Sequence, residues 1–188
     1  INVIWANQWE PSTVRQHAVE IYCNRWNMEE TENGSDTYHN DYGDILVNKD
    51  ISTIHGEDIP NHDLLCGGFP CQDYSVARTI SGELGIEGEK GKLWTEIKRL
   101  ISECKIKPKL LLLENVPRLL NSPASQRGLN FSVILSDLLE LGYDVEWRVI
   151  NAADYGMPQK RSRIFILAYR KNKLLNMSLN PENQISVE

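Results

Sequence analysis

The amino-acid sequence predicts an α/β domain in which helices cover both faces of a mostly parallel sheet. Apolar runs alternate with segments whose apolar residues recur every three or four positions, as strands alternate with amphipathic helices. The four leucines at 110–113 show no polar alternation, which is typical of a strand buried on both faces of a parallel sheet. The 188 residues, 41% hydrophobic and 24% charged, fit one domain with a sizeable core.

The first half of the chain contains two predicted strands and one predicted helix. The apolar run at residues 3–6 predicts a buried strand, and residues 63–67, which end in glycine, predict a second. The polar, aperiodic residues 28–44 predict a surface loop. A helix is predicted to begin at residue 11, where a proline and a serine precede four apolar residues on one helical face: Val14, Ala18, Ile21 and Tyr22.

The second half of the chain begins with residues 72–92, which are rich in Gly, Glu and Lys and are predicted to be mobile. Five further elements are predicted, namely helices at 93–104 and 131–139 and strands at 110–113, 143–149 and 164–168. Because only a loop separates the last two strands, that pair is predicted to be antiparallel.

The composition argues against several classes of protein. No apolar run approaches the roughly 20 residues that a membrane helix needs, and no signal peptide is visible. The four cysteines form no C-x-x-C pair, so we expect neither a zinc site nor disulfides, and free thiols indicate the cytoplasm. The net charge of −6 is unusual for a nucleic-acid binder. Because Ile1 lies within a predicted strand, we expect the chain to be a fragment.

Two predicted strands end in residues with reactive side chains. Cys71 follows two glycines and Pro70, so we expect its thiol at the tip of a turn and not in the core. Glu114 directly follows the four leucines, which predicts a partly buried carboxyl group. Ligands bind at such strand ends in open α/β sheets. The alternatives are ordinary: cysteines are usually small buried hydrophobes, and a glutamate at a strand end is usually solvated.

A thiol and a carboxylic acid together fit nucleophilic addition to an electron-poor ring. Carbon 5 of cytosine is too weak a nucleophile to attack a methyl donor directly. If a thiolate adds to carbon 6 while an acid protonates N3, the ring becomes an enamine and carbon 5 becomes reactive. Neither the thiol nor the acid suffices alone for this reaction, so the presence of both is stronger evidence for it than the presence of either.

Three motifs together resemble the DNA (cytosine-5) methyltransferase family, in their order and approximate spacing. They are G-F-P-C-Q at 68–72, E-N-V at 114–116 and Q-x-R-x-R at 159–163. The likeness runs from about Trp5 to Arg170 and is strong for the bacterial branch. It implies a Rossmann-like, S-adenosylmethionine-dependent methyltransferase fold that is truncated at its N terminus. Residues 1–188 would form a single catalytic domain fragment, without the first cofactor motif and the target-recognition domain.

The resemblance implies roles for the residues at the first two motifs. Cys71 would be the nucleophile, positioned by Pro70, and Glu114 would be the acid on cytosine N3. Asn115 would hold the loop that carries Pro70 and Cys71. The partners implied are double-stranded DNA and a cognate restriction endonuclease, with no metal and no membrane.

The third motif and the segment after Cys71 supply the implied DNA contacts. Alternate residues of a strand share a face, so Gln159, Arg161 and Arg163 are predicted to point the same way. Arg163 would contact O2 of the flipped base, and Arg161 would brace the catalytic loop. Gln72, Ser75 and Gln159 would contact DNA, Ser75 through a phosphate. The alternative for residues 159–163 is a solvated charge cluster on an edge strand.

The cofactor implied by the resemblance is S-adenosylmethionine. Asp50 and Ile51 resemble the pair beside its adenine, Trp9 the neighbouring aromatic residue, and Leu93 and Pro70 further cofactor contacts. Plain core packing is the alternative for Trp9 and Leu93.

The sequence departs from the family at the ribose-binding acid. That position falls on Gln8, which cannot accept hydrogen bonds from two hydroxyls as a carboxylate does. Because the first cofactor motif and the target-recognition region are also missing, we expect weak or no cofactor binding and no activity from this chain alone.

Three other functions compete with this reading. A tRNA-directed cytosine methyltransferase of the same family would share Cys71 and Glu114. The chain could instead be a non-catalytic or split half that needs a partner chain, and Gln8 favours this alternative. A cysteine hydrolase would need a histidine near Cys71, and the four histidines are poorly placed for that role: His17, His39, His55 and His62.

Overall fold

A computed structural model describes residues 1–69, 92–123 and 126–170 of the chain. The described helices are α1 (His17–Trp26), α2 (Lys92–Glu103) and α3 (Leu129–Glu140). The described strands are β1 (Trp5–Asn7), β2 (Glu29–Glu30), β3 (Thr37–His39), β4 (Ile45–Val47), β5 (Leu64–Gly68), β6 (Leu110–Asn115), β7 (Tyr143–Asn151) and β8 (Ser162–Arg170). The strands predicted in the sequence are confirmed with small shifts at their ends, and so are the two helices of the second half.

The first sheet has the strand order β1-β4-β3-β2. β1 and β4 are parallel, whereas β3 is antiparallel to both β4 and β2. The surface loop predicted at residues 28–44 is therefore wrong in part, because it contains the hairpin of β2 and β3. These strands have two and three residues, which is too short for alternation to be visible. Gly34 lies in the hairpin turn with φ +79°, where a side chain would be strained.

The first helix begins at His17, six residues after the predicted start. The side chain of Gln16 explains the difference, because it closes a turn before the helix. Its Nε2 donates to the carbonyl oxygens of Glu10 and Thr13 at 2.8 and 2.9 Å, and its Oε1 accepts from the Glu10 amide. Val14 is fully exposed in this turn, so it was wrongly assigned to the apolar face of a helix.

The second sheet has the order β5-β6-β8-β7. β5 and β6 are parallel, and β8 is antiparallel to both β6 and β7, which confirms the antiparallel final pair. The α/β class is confirmed as well. In detail, the two described sheets are mixed and not mostly parallel, because two of the six described strand pairs are parallel.

Helices α2 and α3 pack together against one face of the second sheet. The main core combines alternate residues of β6 and β8, such as Leu111 and Ile166, with Trp94 of α2 and Ile134 of α3. Helices were predicted to cover both faces of the sheet, but no described helix covers the opposite face of this one. Its leucines are more than a third exposed in the described structure: Leu110 (41%), Leu112 (37%) and Leu167 (38%). A run of leucines occupies both faces of a strand, so the sequence does not reveal which face is covered.

No helix in the described ranges has the length and apolar character required to span a lipid bilayer.

A buried tyrosine supports a pH-dependent prediction. The Tyr143 hydroxyl is buried and donates to the Pro108 carbonyl at 2.7 Å. Burial raises the pKa of Tyr143 from 10.0 to about 12. Because the folded-state value is the higher one, this stabilisation is complete below pH 10 and is lost as the pH rises toward 12.

We predict that Tyr143→Phe lowers the free energy of unfolding at neutral pH by about 1 kcal/mol, measured by urea denaturation. The variant should also lose less stability than the wild type between pH 10 and 12. Tyr155→Phe, at a 63% exposed tyrosine, is the matched control and should follow the wild-type profile. Identical pH profiles for Tyr143→Phe and the wild type would contradict the prediction.

Candidate active site

A cavity of about 240 Å³ lies where the parallel strands β5 and β6 end. Gly68 pairs with Glu114 in the register of these strands, so both chains leave the sheet at the same edge. β8 runs in the opposite direction and contributes residues from its beginning. Among the described residues, seven line the cavity: Gly68, Phe69, Glu114, Asn115, Val116, Arg161 and Arg163. The fold therefore brings together the first and third sequence motifs with the E-N-V motif.

An ion pair joins two of the predicted catalytic residues. Nε of Arg163 donates to Oε1 of Glu114 at 2.7 Å. The two side chains are 23% and 39% exposed respectively, which confirms the partly buried carboxyl group predicted for Glu114. Nη1 of Arg163 also donates to the Ser162 carbonyl at 2.8 Å, so the guanidinium is held by two partners. Charged groups in this setting are oriented by each other as well as by the backbone.

Asn115 connects the end of β6 to the end of β5. Its side chain is 2% exposed, and Nδ2 donates to the Phe69 carbonyl at 2.9 Å. Its Oδ1 accepts from the Val116 amide at 2.8 Å. Phe69 is itself buried and packs against Trp94, with ring centroids 5.6 Å apart. The backbone is thus fixed at Phe69, two residues before Cys71.

Sequence reasoning missed the contribution of Phe69. Its position between glycine and proline is typical of an exposed turn, yet the side chain is 4% exposed. The helical spacing of Trp94 predicted a core residue, but nothing in the sequence indicates that its partner would be Phe69. Gly68 was read only as a turn former. The structure adds a steric reason, because a Cβ at this position would lie 3.3 Å from Oε2 of Glu114.

Four predicted site residues fall within residues 70–91, outside the part of the chain that the structure describes. They are Pro70, Cys71, Gln72 and Ser75. Their roles remain predictions.

The prediction that Gln159, Arg161 and Arg163 share one strand face is wrong, because β8 begins at Ser162. Arg161 and Gln159 precede the strand and are exposed. Arg161 nevertheless lines the cavity, whereas Gln159 does not. β7 ends at Asn151, where a turn of 3-10 helix begins, so the residues before Ser162 have no strand to pair with, although the Arg161 carbonyl still accepts from the Ala152 amide.

The proposed cofactor residues lie at the carboxyl ends of β1 and β4, away from the cavity lining. Nδ2 of Asn7 donates to the carbonyls of Val47 and Lys49, which holds the two strand ends together. Trp9 follows β1 and is 40% exposed, which argues against its being a core residue. Asp50 follows β4, and its Oδ1 accepts from the Ser52 amide at 2.9 Å to cap a turn of 3-10 helix.

The other cofactor candidates are less accessible. Ile51 is partly buried and packs against the cluster of Ile54, Ile59 and Leu100. Leu93 is partly buried and packs against the main core. Gln8 is exposed, and its amide donates to the Val47 carbonyl at 3.1 Å. In the described residues no group of three or more His, Cys, Asp or Glu side chains could hold a metal ion.

Comparison with known families decides which proteins share this arrangement. The model of the C-5 cytosine-specific DNA methylase family matches residues 2–188. The chain belongs to this family. The resemblance predicted from the three motifs is therefore confirmed.

Bacterial relatives of this methylase chain agree with that assignment. Type II methyltransferase M.Sau3AI of Staphylococcus aureus is 53% identical over 173 residues, which cover 91% of this chain and 38% of the relative. M.SsoII of Shigella sonnei is 41% identical over 140 residues, covering 74% of this chain and 35% of the relative. M.HhaI of Haemophilus parahaemolyticus is 34% identical over 152 residues, covering 81% and 42%. The methylase chain thus spans less than half the length of these relatives.

Solved structures confirm the methyltransferase fold. Dnmt2 methyltransferase of S. pombe superposes with a TM-score of 0.59 at 19% identity, over 92% of this chain and 43% of that one. EhMeth methyltransferase of Entamoeba histolytica gives a TM-score of 0.61 at 18% identity, over 92% and 54%. At these identities the likeness concerns the fold alone.

The crowding at Gly68 gives a testable prediction. A Cβ would press on Oε2 of Glu114, which Arg163 prevents from moving freely, whereas a Cβ at Gly67 would meet nothing within 4 Å. We predict that Gly68→Ala is less stable than Gly67→Ala by about 1 kcal/mol in urea denaturation. In a Glu114→Ala background the difference should disappear. A difference of the same size in that background would contradict the contact with Glu114 as its cause.

Removal of the Asn115 side chain should destabilise the site locally. Asn115→Ala leaves the Phe69 carbonyl and the Val116 amide without their partner, so we predict a loss of about 1–3 kcal/mol. Asn130→Ala is the matched control, because Asn130 is equally buried and bonds Ser122 at the start of α3. Both variants should lose stability in urea denaturation, but only Asn115→Ala should alter the near-ultraviolet signal of the packed pair Phe69 and Trp94. An unchanged signal would contradict the role of the Asn115 side chain in holding Phe69 in place.

Proposed function

We propose that this chain carries the catalytic centre of a DNA cytosine-5 methyltransferase, with Cys71 as the nucleophile. The observation that carries the proposal is the ion pair of Glu114 and Arg163 in the cavity beside Phe69. Phe69, which lines that cavity, precedes Cys71 by two residues in the sequence. Family membership and relatives named as Type II methyltransferases support the same reaction.

The polar groups of the cavity match one edge of a cytosine ring. That edge carries N3 and O2, both of which accept hydrogen bonds. A protonated Glu114 carboxyl would donate to N3, and the Arg163 guanidinium would donate to O2. Pockets for drug-sized ligands measure about 300–1,000 Å³, so a cavity of about 240 Å³ suits a smaller planar group.

In the proposed reaction, sulfur and a methyl group add to carbons 6 and 5 of the ring. A proton and the sulfur then leave, so the aromatic ring is restored. Sγ of Cys71 bonds to carbon 6 while N3 takes a proton from Glu114, which makes the ring an enamine. Carbon 5 would then bond to the methyl group as the bond between that group and the donor's sulfonium sulfur breaks, which would leave the donor as a neutral thioether. A base removes the proton of carbon 5, the bond between Cys71 and carbon 6 breaks, and N3 returns its proton to Glu114. The thiolate and the acid are thereby regenerated.

S-adenosylmethionine, when bound, supplies the electrophilic methyl group. The described residues fit its adenine end, because Trp9 exposes an aromatic face and Asp50 follows the neighbouring strand at the same sheet edge. Ligands occupy this edge in open α/β folds. The exposed Gln8 fits the ribose poorly, since it lacks the second acceptor oxygen of a carboxylate. Weak binding of the cofactor by the 188-residue chain is therefore part of the proposal.

The proposed substrate is double-stranded DNA, from which the target cytosine must leave the stack before a thiolate can reach carbon 6. The net charge of −6 does not favour binding to DNA. We therefore assign the phosphate contacts to local basic side chains and to a complementing segment. We infer a cognate restriction endonuclease as a functional partner, because several relatives are named Type II methyltransferases. The proposed compartment is the bacterial cytoplasm, where the chromosome lies.

A second candidate is that the chain acts as one half of a split enzyme. The exposed leucines on the sheet face opposite α2 and α3 favour it, because monomeric proteins rarely leave large contiguous apolar surfaces open. In this version residues 1–188 supply the catalytic centre and another polypeptide covers the sheet.

Covalent trapping on 5-fluorocytosine tests the proposal. Duplex DNA of mixed sequence carrying this base is incubated with S-adenosylmethionine and the chain, with and without a polypeptide made of the M.Sau3AI segments outside the match. Fluorine at carbon 5 cannot be eliminated as a proton is, so we predict a band that survives denaturing electrophoresis when the complement is present. Cys71→Ser should abolish the band. Cys66→Ser is the matched control, because it removes an exposed thiol of β5, and it should leave the band unchanged.

Each other outcome has a defined meaning. A band from the chain alone would reject the split enzyme. A band on 5-fluorocytosine in tRNA but not in DNA would transfer the activity to the RNA-directed branch. A band that persists in Cys71→Ser would refute the assigned nucleophile, and no band on either nucleic acid from a folded, complemented protein would refute the proposed function.

A further inference from the structure

We propose that Arg99 is a positioning residue that fixes the segment from Asp50 to Gly56 and thereby sets the affinity for S-adenosylmethionine. The inference rests on the proposed function in one respect, namely that Asp50 and Ile51 contact the cofactor. Arg99 lies in α2, four residues before the helix ends at Glu103. It lies outside the cavity that holds Glu114 and Arg163.

The guanidinium of Arg99 binds the backbone of the cofactor segment directly. Nη2 donates to the carbonyl of Ile51 at 3.1 Å and to that of Ile54 at 2.9 Å. Ile51 begins the turn of 3-10 helix that Asp50 caps, and Ile54 is the C-terminal cap of that turn. Inside the turn the Thr53 and Ile54 amides donate to the carbonyls of Asp50 and Ile51, and Arg99 adds a donor from outside the turn.

Two glutamates of α2 hold Arg99 in this position. Nε of Arg99 donates to Glu96 at 2.6 Å, and Nη1 donates to Glu103 at 2.7 Å. The three side chains are 22–31% exposed, so the cluster is partly removed from water and not a loose surface pair. With these bonds the planar guanidinium uses all three of its nitrogens, which a lysine cannot reproduce.

Glu103 extends the same cluster to the end of the segment. Its Oε2 accepts from the Gly56 amide at 2.8 Å. This hydrogen bond and the neighbouring Arg99 lower the pKa of Glu103. Gly56 approaches α2 so closely that a Cβ would lie 2.4 Å from the Leu100 carbonyl. The segment is therefore held at Ile51, Ile54 and Gly56 by one helical turn of α2.

We call the contacts of Arg99 and Glu103 with this segment the clamp. The clamp bears on function because α2 also contacts the strand end that precedes Cys71. Near its beginning, Trp94 packs against Phe69 at the end of β5. One turn later, Leu100 packs with Ile54 and Arg99 binds the cofactor segment. The same rigid helix thus sets the cofactor segment relative to the strand end that leads to Cys71.

Two matched variants of the full chain test the role of Arg99. Arg99→Lys keeps the charge but loses the forked geometry. Lys98→Met is the control, because Lys98 lies next along α2 and binds Asp137 and Glu140 of α3, away from the cofactor segment. Hydrogen exchange at the Ile54 and Gly56 amides is measured without ligand, and binding of S-adenosylmethionine is measured by titration calorimetry, with the complementing polypeptide present.

We expect Arg99→Lys to accelerate exchange at Ile54 and Gly56 at least tenfold and to raise the Kd for S-adenosylmethionine at least tenfold. At saturating cofactor, trapping on 5-fluorocytosine should return to the wild-type level. Lys98→Met should change neither the local exchange nor the Kd, whatever its global stability.

Unchanged exchange in Arg99→Lys would overturn the clamp, and faster exchange with an unchanged Kd would overturn its role in affinity. If the wild type itself binds no S-adenosylmethionine while exchange still depends on Arg99, the cofactor assignment of the proposed function fails and the clamp stands.

Discussion

The parallel pairing of β5 with β6 is the constraint on which the candidate site depends. With Gly68 beside Glu114, the glycine leaves room for the carboxylate, and both strands end at one edge. Asn115 then closes the two ends with a hydrogen bond to Phe69. This bond lies on the buried face, where the unmet polar groups of either partner would cost about 1–3 kcal/mol. The backbone that leads to Cys71 is consequently fixed by the sheet itself.

Helix α2 links this edge to the rest of the molecule. One face of the helix contributes Trp94 and Ile101 to the core beneath the second sheet. Another contributes Leu100 to the small cluster beneath the first sheet, together with Ile54 and Ile59. Since packed interiors are dense and stiff, a helix shared by two clusters transmits position from one to the other. The two described sheets are therefore connected by side-chain packing and by the polar contacts of one helix.

The sequence predicts this arrangement where a single element carries the information. Leu110 to Leu113 followed by Glu114 and Asn115 predicts both a strand and a polar strand end, and the structure agrees. It predicts poorly where partners are distant along the chain. Neither the pairing of Phe69 with Trp94 nor the contact of Arg99 with Ile54 has any local signal. The hairpin of β2 and β3 and the turn closed by Gln16 were missed because short elements depend on side-chain hydrogen bonds more than on periodicity.

The register of the antiparallel strand β8 against β6 determines whether Arg163 can reach Glu114. Phe165 pairs with Glu114, and Arg163, two residues earlier, lies on the same face of the sheet. A shift of one residue would turn Arg163 toward the opposite face and leave Glu114 partly buried without its cation. Because the Glu114 side chain is 39% exposed, the loss of its partner has a modest cost, and the ion pair adds a small preference for the observed register. The pair that we propose to hold the cytosine edge thus also contributes to the alignment of β6 and β8, together with the apolar residues that these strands bury on the other face.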